Sequence, residues 1–582
     1  MWRELTRSRA GWLAGLLLLT GLQAARLYTQ AKLETQTVDE GIHLGSGYTF
    51  LRTGEYALDK EHPPLSRLIC ALPLWALGVD PKLDAQTWRD KWMADHGKAI
   101  IWRQKDIAPE TIMLAARCGT ILLTLLLSIS LALWVRSRFG AAAGWLAAAL
   151  VTLDPNLNAH GHYVTTDLAA ALTCFLACIA LDRLLRTGTM RDALWTGLAL
   201  GAAAASKFSM LILAPAFVLV WAAARRPLRE AATRRPLREA ATRGLPAVLV
   251  AAAVVLVSYG PASLAPADSA PLQDQVAEGG AVNATLRFAG KHLGVPAHPY
   301  LVGLGLLGAH QTHGHPAFLL GEVYEGGKWQ FFPFAFLVKT PLGALLLMLL
   351  ALPLLWKAPA AEWRTLAIPL ALFWAFSIAS GINIGLRHLL PVYPLSYALA
   401  AGLLGKYGLG ARLDQRGAGL EAGRRPGGLP HKRMIVLLAV ALLAYESARA
   451  AGHDIAFFNA AAGGPERGGQ MLVDSNIDWG QSLGELRTWL GNRKPDDVCL
   501  VYFGTAPIEH YGFSICALPP TEEIRKGVKT ERKYAAISVT LLQGVYHKRE
   551  WYGWLRERRP VARVGESIYV YDVSDLLRED LR

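Results

Sequence analysis

Long apolar runs separated by short basic connections dominate the 582-residue chain, and the runs set the first expectation. A helix needs about 20 mostly apolar residues to cross a bilayer, because hydrocarbon offers its backbone amides no partner outside the helix itself. Eleven stretches predict such helices, at 11–27, 112–135, 141–153, 163–181, 193–205, 208–224, 245–259, 334–356, 366–382, 389–404 and 434–445. No Ala-x-Ala-like cleavage site closes the first and ten more follow, so it reads as a retained helix rather than a signal peptide. After residue 452 the pattern changes. Alternating runs at 498–503, 534–539 and 567–573 predict strands and 482–490 predicts a helix. The expected architecture is an all-α polytopic membrane domain over 1–451, followed by a small soluble α/β domain over 452–582.

Charge orients this arrangement. The sequence holds 60 Lys+Arg against 46 Asp+Glu, a net charge of +14, yet only 18% of its residues are charged, against about 25% in soluble domains. So sparse a charge excludes a nucleic-acid binder, which needs many solvated cations. The basic residues fall in alternate connections: Arg3, Arg7 and Arg9; Arg136 and Arg138; Arg183, Arg186 and Arg191; the linker 225–243; Lys357 and Arg364; and the linker 406–433. Cytoplasmic loops carry such excesses, which predicts an inside N-terminus and an outside C-terminus. The first linker contains a tandem RRPLREAAT repeat, too short for a solenoid unit. Segments 28–111 and 262–332 become external loops, and Lys207 and Arg387 are lone cations of short outer turns. The six cysteines show no zinc spacing; Cys499 and Cys516 either pair in an oxidising compartment or stay buried thiols.

Polar residues gather on the outer side. Asp39 and Glu40 offer a general base at the membrane boundary, or an exposed acidic turn. His62, ahead of Pro63-Pro64, is aimed by a stiff turn with Arg67 following, or serves only that turn. His160, His162 and Asp167 lie within eight residues. His160, His162, His310, His313 and His315 are weak metal-ligand candidates, and Thr165-Thr166-Asp167 equally suits a helix cap. Lys339, Arg387 and His388 border apolar spans, where a charge is costly unless paired, solvated or used. Such cations suit a phosphate; snorkelling accounts for Lys339 as well. In the C-terminal domain, Asp474, Asp478 and Trp479 offer hydrogen bonds and a stacking face to a sugar, or form a turn that caps the helix at 482–490.

Taken in order, Asp39-Glu40, His62-Pro-Pro-Leu65, Thr166-Asp167, Val338-Lys-Thr-Pro341 and Arg387-His-Leu-Leu-Pro391 resemble the polytopic C-type glycosyltransferases of the protein O-mannosyltransferase and aminoarabinose transferase type, in a bacterial member. The resemblance covers roughly residues 10 to 410. It implies a polyprenyl-phosphate-sugar donor entering from the bilayer and Asp39 as catalytic base, with Glu40 beside it and Asp167 as a second acid. The chain lacks the trefoil domain of the eukaryotic protein mannosyltransferases, which leaves the acceptor open among protein, lipid and glycan. A carboxylate base, a phosphate leaving group and His62, Arg67, Asp167, Lys339, Arg387 and His388 around the donor describe an inverting displacement at an outward-facing site of an inner membrane, with no cofactor required and a divalent metal left open but not indicated. The alternative is a transporter or flippase for a lipid-linked sugar, which would place ionisable groups at mid-membrane in matching repeats.

Overall fold

The computed structural model describes residues 8–225, 240–264, 298–409 and 429–578. Its longer helices, in chain order, are α1 (Arg9–Leu33), α2 (Glu40–Thr53), α3 (Leu65–Ala76), α4 (Met93–Trp102), α5 (Pro109–Phe139), α6 (Ala141–Leu153), α7 (Asp167–Thr187), α8 (Met190–Ser206), α9 (Leu213–Arg225), α10 (Leu245–Tyr259), α11 (His298–His313), α12 (Phe331–Lys339), α13 (Leu342–Ala351), α14 (Ala360–Ile378), α15 (Val392–Leu403), α16 (Leu429–Ala450) and α17 (Leu483–Leu490). All eleven apolar stretches are helical. Among the described residues, however, only α1, α5, α7 and the stretch Thr242–Ser263 are singly long and apolar enough to cross a bilayer. The others are shorter or less apolar helices.

One expected span is broken. The stretch 334–356 folds as α12 and α13, bent by 111°. Thr340 between them is extended, at φ −79° and ψ 133°, because Pro341 disfavours a helical residue before it and cannot donate to a continuing helix. The loop expected at 28–111 is also more ordered than its polarity suggests, since α1 runs on to Leu33 and α2, α3 and α4 follow. On α3, Leu72 and Trp75 are exposed, the apolar face of a helix suited to lie along a membrane surface. The linkers and much of the segment 262–332 fall at 226–239, 265–297 and 410–428, outside the described residues.

The helices expose their apolar faces outward: Leu18 on α1, Leu249 on α10 and Leu437 on α16 are each more than half exposed, as lipid-facing positions are. At one end of the bundle the basic connections meet, with Arg138 and Arg186 on Asp182 and Lys406 on Glu362. After α16 comes a four-stranded sheet of β1 (Val498–Val501), β2 (Tyr534–Ser538), β3 (Ala562–Val564) and β4 (Ile568–Asp572), in the order β1-β2-β4-β3. β1 pairs parallel with β2, and the remaining pairs are antiparallel. Cys499 and Cys516 form a disulfide. One continuous core runs from Leu127 and Phe175 through Phe331 and Tyr393 to Val473, Ile537 and Tyr571, so the sheet is seated on the helices rather than tethered beside them.

The corner between α1 and α2 is locked by Arg117 of α5. Its Nε and Nη2 donate to Glu40 at 2.8 and 2.6 Å. Nη1 donates to the carbonyls of Ala31 and Glu34, both at 2.8 Å, and Nη2 also donates to that of Thr35 at 2.9 Å. Both side chains are fully buried, so breaking the pair strands a charge in a dry interior. Arg117→Leu is expected to destabilise the protein by about 3–5 kcal/mol, read from denaturation in detergent. Adding Glu40→Leu should recover part of that loss.

Candidate active site

At the end of the bundle opposite the basic connections, four charged side chains converge from four separate parts of the chain. Asp39 stands just ahead of α2 with its carboxylate 26% exposed, the most accessible acid of the group. Arg387, in the turn between α14 and α15, lies 3.0 Å from Asp39 and 3.6 Å from Asp167. Asp167, at the first turn of α7, is buried and accepts a hydrogen bond from Lys207, which follows α8. The face of Trp479 covers the Arg387 guanidinium at 4.5 Å, a cation–π contact that holds it in place.

The polar atoms here are not fully used. Arg387 Nε, Asp167 Oδ2, His388 Nε2, Ser475 Oγ and His160 Nδ1 are buried without a hydrogen-bond partner. Buried polar groups are normally satisfied, so a cluster of orphans around one guanidinium marks a place built for a polar ligand. Burial, with Lys207 and Arg387 nearby, holds the His388 imidazole well below its usual range. It is therefore a neutral donor or acceptor and not the cation expected from its position beside Arg387.

Several expected site residues are committed elsewhere. Both Glu40 oxygens serve Arg117, and they also accept from Thr37 N at 2.9 Å and Val164 N at 3.0 Å, which leaves no oxygen free for a base. Arg67 is buried, with Nη1 on the Asp59 carboxylate and carbonyl and Nη2 on Tyr56 and the His62 carbonyl. Its donors tie the loop and reach no outer surface. Lys339 donates to the carbonyls of Ile455, at 2.8 Å, and Asn476. It therefore neither snorkels nor stands free for a phosphate. His62 sits against Asp59 at 3.0 Å.

Of the five histidines considered for metal, His162 bonds Glu34 at 2.8 Å and His160 packs edge-on against Trp479. His310 pairs with Glu61 at 3.1 Å, while His313 and His315 contact backbone carbonyls. Among the described residues these five form no ligand cluster.

The segment 474–481 proves to be neither a simple cap nor a sugar platform. Ser482 makes no side-chain cap for α17, and Trp479 is 1% exposed with Arg387 over its face, so no sugar ring can stack there. The segment instead stitches separate loops together. Val38 N donates to Trp479 O at 3.0 Å and Thr35 N to Gln481 O at 2.8 Å. Leu386 N donates to Asn476 Oδ1 at 2.9 Å and Asn476 Nδ2 to Ile384 O at 3.2 Å. The backbones of the Asp39 and Arg387 loops are thus held by one eight-residue motif. Asp474, at φ +58°, accepts from Tyr546 and from Ser475 N on the Arg387 side. Asp478 is buried and accepts from Thr540 N at 3.1 Å.

Sequence reading missed Lys207 as a site member, although its isolation in an outer turn was a signal. It missed Arg117 as well, a charge inside an apolar run. Tyr163, which donates to Glu34 at 2.5 Å, gave no sequence signal.

Residues 99–258 match the family model described as dolichyl-phosphate-mannose-protein mannosyltransferase. The resemblance read from the motifs is borne out. The matched stretch includes Arg117, Asp167 and Lys207. No curated protein matches the sequence. Among solved structures, the chain is similar to ArnT from Cupriavidus metallidurans bound to undecaprenyl phosphate, at 14% identity over 98% of this chain and 100% of that one, with a TM-score of 0.46. It is also similar to the arabinosyltransferase EmbB from Mycobacterium smegmatis, at 13% identity over 74% and 37% with a TM-score of 0.38. A third is the archaeal oligosaccharyltransferase AglB from Archaeoglobus fulgidus in complex with an inhibitory peptide and a dolichol-phosphate, at 15% over 75% and 55% with a TM-score of 0.41.

Two outcomes follow from this geometry. Asn476→Ala should leave the protein folded but lower its activity by about 10²-fold, as loop misplacements near 1 Å do, while Asn476→Asp, which keeps the Oδ1 acceptor, should recover part of it. Burial raises the Asp478 carboxyl to about 7, above the ordinary value near 4. The fold then favours the protonated form, so stability falls as pH rises from about 4 to 7 and levels off above. Asp478→Asn should flatten that slope and stabilise the protein at pH 8 by on the order of 4 kcal/mol, read from melting curves across pH.

Proposed function

We propose that the protein is an inverting glycosyltransferase that moves a sugar from a polyprenyl-phosphate donor to a hydroxyl of an extracytoplasmic acceptor. The observation that carries this reading is the Asp39–Arg387 pair: an accessible carboxylate 3.0 Å from a guanidinium that is itself ringed by unsatisfied polar atoms. The acceptor hydroxyl gives its proton to Asp39 as its oxygen attacks the anomeric carbon. The bond to the donor phosphate breaks on the opposite face, and the departing phosphate needs charge stabilisation more than a proton. Arg387, backed by Lys207, supplies it. The second acid, Asp167, keeps those two cations fixed between turnovers. A single displacement needs one base and no carboxylate nucleophile, so the anomeric centre inverts.

The donor class rests on the family model, whose description names a dolichyl-phosphate-linked sugar. The side rests on two features: basic connections gather at the end away from the site, as cytoplasmic loops do, and the Cys499–Cys516 disulfide belongs to an oxidising compartment. We place the protein in the plasma membrane with the site facing out.

Asp39→Asn should lower transfer from a radiolabelled polyprenyl-phosphate sugar by about 10²–10⁴-fold in the reconstituted protein, with its melting temperature kept. Full turnover in that variant would refute the base. Movement of the intact donor across the bilayer without transfer would favour the transporter.

A further inference from the structure

One histidine pair remains outside the transfer scheme. His43 lies on α2, one turn beyond Asp39. Asp59 and His62 lie in the connection from α2 to α3, which Pro63 and Pro64 stiffen. The fold brings one possible ligand atom from each within 4.8 Å of the other two. His43 Nδ1 stands 3.5 Å from Asp59 Oδ2, and His62 Nδ1 stands 3.0 Å from Asp59 Oδ1.

These separations bear on metal chemistry. Four ligands at about 2.0–2.1 Å around tetrahedral zinc are roughly 3.3 Å apart. The two imidazole nitrogens thus lie at about ligand spacing from one carboxylate. His43 Nδ1 is buried in a side chain only 3% exposed, and its nearest polar neighbour, Asp59 Oδ2 at 3.5 Å, lies at the outer limit of hydrogen bonding and is poorly aimed for it. Such an atom points to a ligand, because an unsatisfied buried nitrogen is costly. Arg67 donates to Asp59 at 3.0 Å and also to the His62 carbonyl. Partners of that kind orient metal ligands and are part of working sites.

We propose that His43, Asp59 and His62 bind one divalent transition metal of the zinc class, with Arg67 as the residue positioning Asp59. Two imidazoles and a carboxylate suit zinc-like cations better than magnesium or calcium, which take oxygen. Three protein ligands leave a fourth position open, and His62, 35% exposed, sets the side from which the ion enters. The site lies one helical turn from Asp39. It does not depend on the transfer reaction, because its ligands are distinct from Asp39, Arg387 and Asp167.

The test is zinc titration of the full-length protein in detergent after chelator stripping, in competition with a chromophoric chelator. One zinc ion per chain is expected, together with a visible absorption band of tetrahedral type when cobalt(II) replaces zinc and a melting temperature that rises with zinc. His43→Gln and His62→Gln should each weaken binding by more than about 100-fold and abolish the thermal shift, whereas His313→Gln should change neither. His62 is partly exposed, so its variant keeps the test valid if the His43 variant fails to fold. No saturable zinc binding in the wild type, or binding unchanged in His62→Gln, overturns the site. Because the readout is metal, loss of transfer in an Asp39 variant leaves this result untouched.

Discussion

The site stands on a guanidinium that takes no part in it. Arg117 spends every N–H on five acceptors in one corner, three of them carbonyls at the end of α1 and two the oxygens of Glu40 at the start of α2. Ala31 O belongs to the last turn of α1, where a helix leaves its carbonyls unsatisfied, and the carbonyls of Glu34 and Thr35 follow it into the turn toward α2. Asp39 rides on that turn. A flexible loop would hold its carboxylate only part of the time near Arg387, whereas a corner welded by a fully desolvated ion pair holds it at 3.0 Å.

A second layer of restraint comes from the far end of the sequence. Residues 474–481 reach back to bond the 35–38 backbone and the turn at 384–386, and Lys339 closes the same seam from the end of α12. The soluble-looking C-terminal part therefore serves as the wall and the clasp of the membrane part, in keeping with the core that the two share.

How much of this was legible in the sequence depended on range. Hydrophobic periodicity is local, so the helices and the strands near 498, 534 and 568 could be read directly. Pro341 carried the break in the 334–356 stretch as well, since a proline inside an apolar run bends or ends a helix. What could not be read was which neighbour each charge would choose. Asp39 and Glu40 are adjacent yet end in opposite environments, one accessible and one dry, because α5 passes behind only the second. The histidines at 160, 162, 310, 313 and 315 looked like ligands by spacing, whereas the cluster that formed joins His43 on a helix to Asp59 and His62 on a turn. Such juxtapositions depend on packing between elements, which no local pattern encodes.

The seam at 474–481 also governs when the site comes into being. Asp39 is made early and Arg387 much later, and the motif that binds their loops together follows nearly 90 residues after Arg387. Closing so long a loop is slow compared with forming the helices themselves. A partly synthesised chain therefore carries its carboxylates and cations without the clasp that sets their spacing. The spacing of Asp39 and Arg387 is thus the last feature of the fold to be set, waiting on the packing of residues 474–481 against both loops.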